Sequence, residues 1–161
     1  MCQFTKNYEH SNSNGSMEQD PNILLEDGYT PFHLAAIFDQ LVPFQNMIPI
    51  VENPFQQSQN EKNDTAINLA IKYGNTSIVK AFCENFKEDD DDLEMWLITA
   101  AFYGQIEVAG YILSQFHDPI EAFEDRVEDA KTTASAMGQT DFINFLDEEI
   151  GIYLFTRVFV M

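Results

Sequence analysis

The sequence predicts an all-α fold, a solenoid of stacked helix–turn–helix units, and three observations lead there. One pattern returns four times, with its turn position at Asp39, Gly74, Gly104 and Gly138, at spacings of 35, 30 and 34 residues. Inside each copy apolar residues recur at the helical period, not in the alternation of a strand. Each copy is also too short to bury its own apolar face. A repeat near ~33 residues carrying two short helices must therefore stack on its neighbours.

The elements follow in order. The first copy, "TPFHLAAIFDQLVPFQNMI" (Thr30–Ile48), opens on Thr30, whose hydroxyl is placed to accept from a free backbone N–H at a helix start. Pro31 takes the first helical position, where its missing N–H costs nothing and its fixed φ is already helical. Phe32, Leu34 and Ala35 face neighbouring layers. His33 sits in the first turn beside Thr30, suited to tie one unit to the next by hydrogen bonds. The second copy, "TAINLAIKYGNTSIVKAFC" (Thr65–Cys83), repeats the cap with Thr65 and has Asn68 where His33 was. The third, "MWLITAAFYGQIEVAGYIL" (Met95–Leu113), and the fourth, "DAKTTASAMGQTDFINFLD" (Asp129–Asp147), lack the Thr-Pro start and carry Ile98 and Thr132 there. A position that is His, Asn, Ile and Thr in turn is architecture, not a metal ligand or a general base. Gly74, Gly104 and Gly138 end the first helices in a left-handed conformation, which Asp39 tolerates better than most residues. Second helices are expected over Pro43–Ile48, Ser77–Cys83, Glu107–Leu113 and Asp141–Leu146, the first of them closed by Pro49.

The run Thr30-Pro31-Phe32-His33-Leu34-Ala35 resembles the T-P-L-H-x-A signature of ankyrin repeats, with Phe in place of Leu. The resemblance covers residues 26–150, in repeats at about 26–60, 61–90, 91–124 and 125–150. It implies a non-catalytic module that binds another protein through a concave face of finger tips and first helices. The family's Gly-Ala-Asp-x-Asn hairpin is missing from every copy. "PIVENPFQQSQNEKND", "ENFKEDDDDLE" and "SQFHDPIEAFEDRVED" stand in its place, so irregular fingers are expected. The polar fourth copy suits a terminal cap with one face in water.

Both flanks differ from the repeats. Residues 1–25 are polar and are expected to be disordered, apart from "NILL", which suits a cap on the first repeat. The tail 151–161, "GIYLFTRVFVM", is apolar and β-prone. It is expected to cover the last helix pair; pairing with a partner's sheet edge and a foreign extension are the alternatives.

Composition narrows the class. With 161 residues, 45% of them hydrophobic, the chain suits one domain. It has no apolar run of the ~18 residues a membrane span needs. The start has neither the basic and apolar regions of a secretory signal nor a glycine after Met1 for myristoylation. Cys2 and Cys83 form no CxxC pair or disulfide framework, which points to a reduced intracellular setting, cytoplasmic with the nucleus open. There are 27 acidic against 8 basic residues, a formal net charge of −19. Such a surface repels phosphate, so direct nucleic-acid and anionic-membrane partners are disfavoured, while a basic protein segment is attracted. Solubility alone also accounts for acidity.

Carried over position by position, the resemblance implies a binding surface. The residues ahead of each turn are Ile37-Phe38, Lys72-Tyr73, Phe102-Tyr103 and Ala136-Met137. Stacking should rank Phe38, Tyr73, Tyr103 and Met137 in one column, with Tyr29, Ile37, Lys72 and Phe102 beside it. Asp27, Asp64, Asp91, Asp92, Glu94, Asp125 and Glu128 are expected at finger positions as an acidic rim. Together they suit a basic, amphipathic segment bound by a monomer. Catalytic chemistry finds no footing. His10, His33 and His117 lie far apart, "EDDDDLE" lacks the spacing and glycine of a calcium loop, and no phosphate loop or nucleophile elbow occurs, so neither cofactor nor metal is expected. Two other readings compete with a scaffold or adaptor: an inhibitor resembling the ankyrin inhibitors of Rel-type transcription factors, and a decayed fragment of a longer array.

Overall fold

A computed structural model describes the backbone of residues 20–86, 90–116 and 120–159, and all of their side chains except those of 90, 120–124 and 153–159. The fold is all-α. The helices are α1 (Pro31–Ile37), α2 (Leu41–Met47), α3 (Ala66–Tyr73), α4 (Thr76–Asn85), α5 (Asp90–Tyr103), α6 (Ile106–Gln115), α7 (Ile120–Ala136) and α8 (Thr140–Phe159). The described residues contain no strand, only an isolated bridge between Gln57 and Thr65.

The helices form two layers. In one, α1 packs on α3, α3 on α5 and α5 on α7; in the other, α2 packs on α4 and α4 on α6. Each unit closes on itself through α1 with α2, α3 with α4, α5 with α6 and α7 with α8. Small residues let the first helices approach. Ala35 and Ala36, Ala66 and Ala70, Ala100 and Ala101, and Ala130 and Ala134 are all buried. Larger side chains fill the space between the layers, as where Phe32 stacks on Phe44 at 4.3 Å. One continuous core then runs from Phe32 to Leu146.

Local chemistry starts and stops these helices as expected. Thr30 caps α1 in a reciprocal box: its hydroxyl accepts from the His33 N–H, while the His33 ring accepts from the Thr30 N–H. Thr65 caps α3 by accepting from the Asn68 N–H at 3.3 Å. All four turn positions adopt positive φ: Asp39 at 52°, Gly74 at 72°, Gly104 at 69° and Gly138 at 72°. Pro43 lies in the first turn of α2, and Pro49 falls in a 3₁₀ turn, Ile48–Ile50, that ends it.

Three expectations are corrected. The first finger, 51–64, is irregular, but the described residues of the acidic runs after α4 and α6 belong to helices from 90 and from 120 onward. Asp91, Asp92 and Glu94 lie in α5, and Asp125 and Glu128 in α7. The reason is that residues 90–103 and 120–136 contain neither glycine nor proline, and carboxylates at a helix start are favoured by its dipole. Helix α7 therefore starts ahead of the expected repeat boundary at 125. Secondly, the β-prone tail is helical through Phe159, as the continuation of α8. Residues 151–152 lie within α8, because Gly151 alone does not stop an established helix. Thirdly, the N-terminal flank is fastened by polar groups. Asn22 donates to the Ile50 carbonyl at 3.2 Å and accepts from the Glu52 N–H at 3.0 Å, while Ile23 and Leu24 remain exposed. Cys2, His10 and His117, with residues 1–19 of the expected disordered flank, lie outside the described residues.

Candidate partner-binding surface

The surface is built at the C-terminal ends of the first-layer helices. Phe38 caps α1, Tyr73 ends α3, Tyr103 ends α5 and Met137 follows α7. Side-chain amides hold these ends in rank. The Asn75 amide donates to the carbonyls of Ala36 and Ile37 at 2.6 and 3.0 Å, and that of Gln105 to the Lys72 carbonyl at 3.0 Å. Gln139 stands against Gly104, its Oε1 2.6 Å from where a Cβ would be. Gln40, in the first repeat, turns its amide to the Phe38 carbonyl. The position after each turn is thus an amide in all four copies, a regularity that the sequence carries beside the turn residues themselves.

The ranked side chains are open to solvent. Phe38 is 54% exposed, Tyr73 52%, Phe102 43%, Tyr103 37% and Met137 44%. Phe102 and Tyr103 meet edge to face at 4.9 Å. Ile37 and Tyr29 are half-buried, Tyr29 with its ring 6.0 Å from that of His33. Met95, not expected here, is 60% exposed. It lies two turns before Phe102 on the same side of α5, so the apolar surface extends along that helix by about 10 Å.

Charge is distributed on two levels. At the N-terminal end of α5, Asp91 and Asp92 are exposed and Glu94 is half-buried. Arg126 on α7 pairs with Glu94 and lies 3.5 Å from Asp91, which ties the two helices and takes up part of the expected acidic rim. Nearer the column, the Lys72 ammonium stands 3.8 Å from Asp64 and within 5.8 and 5.5 Å of the centres of the Tyr73 and Tyr103 rings. The Tyr73–Lys72–Tyr103 contact crosses from one repeat to the next.

His33 takes no part in this surface. It is 1% exposed, its Nδ1 facing Thr30 and its Nε2 2.9 Å from the Gln56 carbonyl. A carbonyl only accepts, so Nε2 carries the proton and the ring is neutral. Burial holds its pKa below the ordinary value, against the opposing effects of the Gln56 carbonyl and of Asp64. It ties the first finger to the first repeat. Among the described residues no cluster of His, Cys, Asp or Glu is suited to a metal, and no helix is long and apolar enough to cross a membrane.

No curated protein and no solved structure matches the chain. A family model for ankyrin repeats in three copies matches residues 37–122, more than half of the sequence. Ankyrin repeats are in general protein–protein interaction modules, typically non-catalytic. The stacked hairpins, the left-handed turns and this match agree: the chain belongs to the ankyrin repeat family.

Proposed function

We propose that the protein binds a basic, amphipathic segment of a partner protein along the wall formed by Phe38, Tyr73, Phe102, Tyr103 and Met137. The observation that carries this reading is the rank of exposed aromatic and methionine side chains held in line by the amides of Asn75 and Gln105. Aromatic side chains offer a large contact area at small rotamer cost, which suits the anchor points of an interface. Met95 lengthens the wall, and Asp91 and Asp92 lie at its acidic end. The net charge of −19 steers a cationic segment towards this surface and repels an anionic one. A scaffold or adaptor needs nothing more.

The test is a fluorescence titration with a basic amphipathic peptide at two ionic strengths. Affinity should fall at least severalfold between about 0.05 and 0.5 M salt, where the screening length shrinks from beyond ~10 Å to below ~5 Å. Replacing Tyr103 or Phe38 with Ala should weaken binding about tenfold or more, and Asp91→Asn with Asp92→Asn should reduce the salt dependence. Affinity indifferent to salt and to all four changes would overturn the reading.

A further inference from the structure

We infer that Asp64, Tyr73 and Tyr103 form a receptor for a partner's arginine side chain, which in the free protein is filled by the chain's own Lys72. The inference rests on the proposed function, and it names the group that enters the wall and the residue that guards it.

Three observations converge on one spot. The Lys72 ammonium lies near the faces of two tyrosines from adjacent repeats, at 5.8 and 5.5 Å from their centres. Both rings are partly open to solvent, so an outside group has access to them. The Asp64 carboxylate oxygen Oδ2 is shut off from solvent and accepts no hydrogen bond, and the ammonium is 3.8 Å away, beyond hydrogen-bond reach. Such an oxygen has given up water without gaining a donor. The internal cation therefore fits loosely: it supplies charge to the carboxylate and to the rings but donates to neither.

A guanidinium does better on each count. It is planar, so it lies flat on an aromatic face, and its fork of N–H donors reaches a carboxylate oxygen at bonding distance. Lys72 hangs on a flexible stem that starts from a fixed point, since its own carbonyl is held by Gln105. The ammonium can swing into water while the backbone stays in place. One cation then replaces another, and the carboxylate is never left without one. An ammonium from the partner would only reproduce what Lys72 already provides, so the receptor selects arginine over lysine. Lys72 acts as a gate that raises the threshold for weakly matched basic segments.

The experiment uses the full chain and a fluorescein-labelled amphipathic peptide of leucine and lysine with one central arginine, together with a twin in which citrulline replaces the arginine. Lys72→Met should bind the arginine peptide about tenfold more tightly than the unaltered chain, since the gate is gone. Lys62→Met makes the same charge change at an exposed site in the finger and should bring a much smaller gain. The citrulline peptide should lose the advantage of Lys72→Met, and Tyr103→Leu should weaken the arginine peptide in the unaltered chain. Thermal melts confirm that each variant is folded; should Lys72→Met unfold, the citrulline comparison and Tyr103→Leu decide alone. Equal gains from Lys72→Met and Lys62→Met, or equal binding of the two peptides, would overturn the receptor while leaving the proposed wall intact. Binding of neither peptide by any variant would overturn the proposed function, and the receptor with it.

Discussion

At the scale of single residues, His33 shows how a side chain typical of active sites serves as a fastener. Its two nitrogens are both spoken for, one by Thr30 and one by the Gln56 carbonyl, and the ring is buried. Protonation would place a second proton on Nδ1, which faces the Thr30 N–H, and would put a charge in an apolar layer. Hence the folded state holds the ring below its ordinary pKa of 6.5. The unfolded chain binds more protons than the folded one below that pH, so stability is full above 6.5 and declines as pH falls through the lowered value. A urea midpoint measured between about pH 7.5 and 5.5 should drop towards the acid side, ahead of the carboxylates, whose ordinary pKa values lie near ~4. His33→Asn, the residue that stands here in the second copy, should flatten that slope even if it lowers stability overall. An unchanged slope would show that the decline belongs to other groups.

At the scale of elements, the turns and caps were legible in the sequence because each rests on a local rule. Thr30 with Pro31 starts a helix, and Gly74, Gly104 and Gly138 end one, whatever the rest of the chain does. The longer reach of α5 and α7 was not legible. The repeat pattern begins at Met95 and Asp129, and upstream of it little beyond acidic residues without a breaker marked "DDDLE" and "EAFEDRVED" as helix. Gly28 was not legible for another reason. A Cβ there would come within 2.8 Å of the Gln59 and Asn60 backbone, a contact with a finger distant in sequence. The candidate wall was legible in its residues but not in its fastening, since Gln105 reaches the Lys72 carbonyl only once repeats are stacked. The turn glycines allow a direct test. Gly138→Ala meets nothing within 4 Å and should cost only the left-handed backbone, about 1–2 kcal/mol. Gly74→Ala incurs the same cost and also drives a methyl group to within 2.5 Å of the Gln105 amide. It should therefore lose clearly more stability by urea denaturation, and Gln105→Ala should remove most of the excess. Equal losses at the two glycines would mean that the amide ladder yields without resistance.

At the scale of the whole molecule, the question is whether four units in a row unfold as one. A stacked array has only neighbour contacts, so cooperativity depends on side chains that bridge units. Phe82 on α4 is such a bridge. Its ring meets Phe55 of the first finger edge-on at 5.4 Å, Phe86 at 4.7 Å, and Trp96 of α5 edge-on at 5.9 Å. It thereby joins the finger, the second unit and the third in one aromatic cluster with no exposed face on Phe82 itself. The chain's single tryptophan lies in that cluster, so its fluorescence reports on the central junction while far-UV dichroism reports on helix throughout. The two signals should change together in urea, with a slope of about 1–3 kcal/mol/M, as for an independent domain of this size. Phe82→Leu, which keeps the bulk but loses the edge-on contacts, should shift both midpoints equally. Phe82→Ala should cost about 3–5 kcal/mol and bring the central junction near its limit. Separate transitions, with helix lost gradually while tryptophan fluorescence holds, would mark the chain as a piece cut from a longer array, each end fraying for lack of a neighbour.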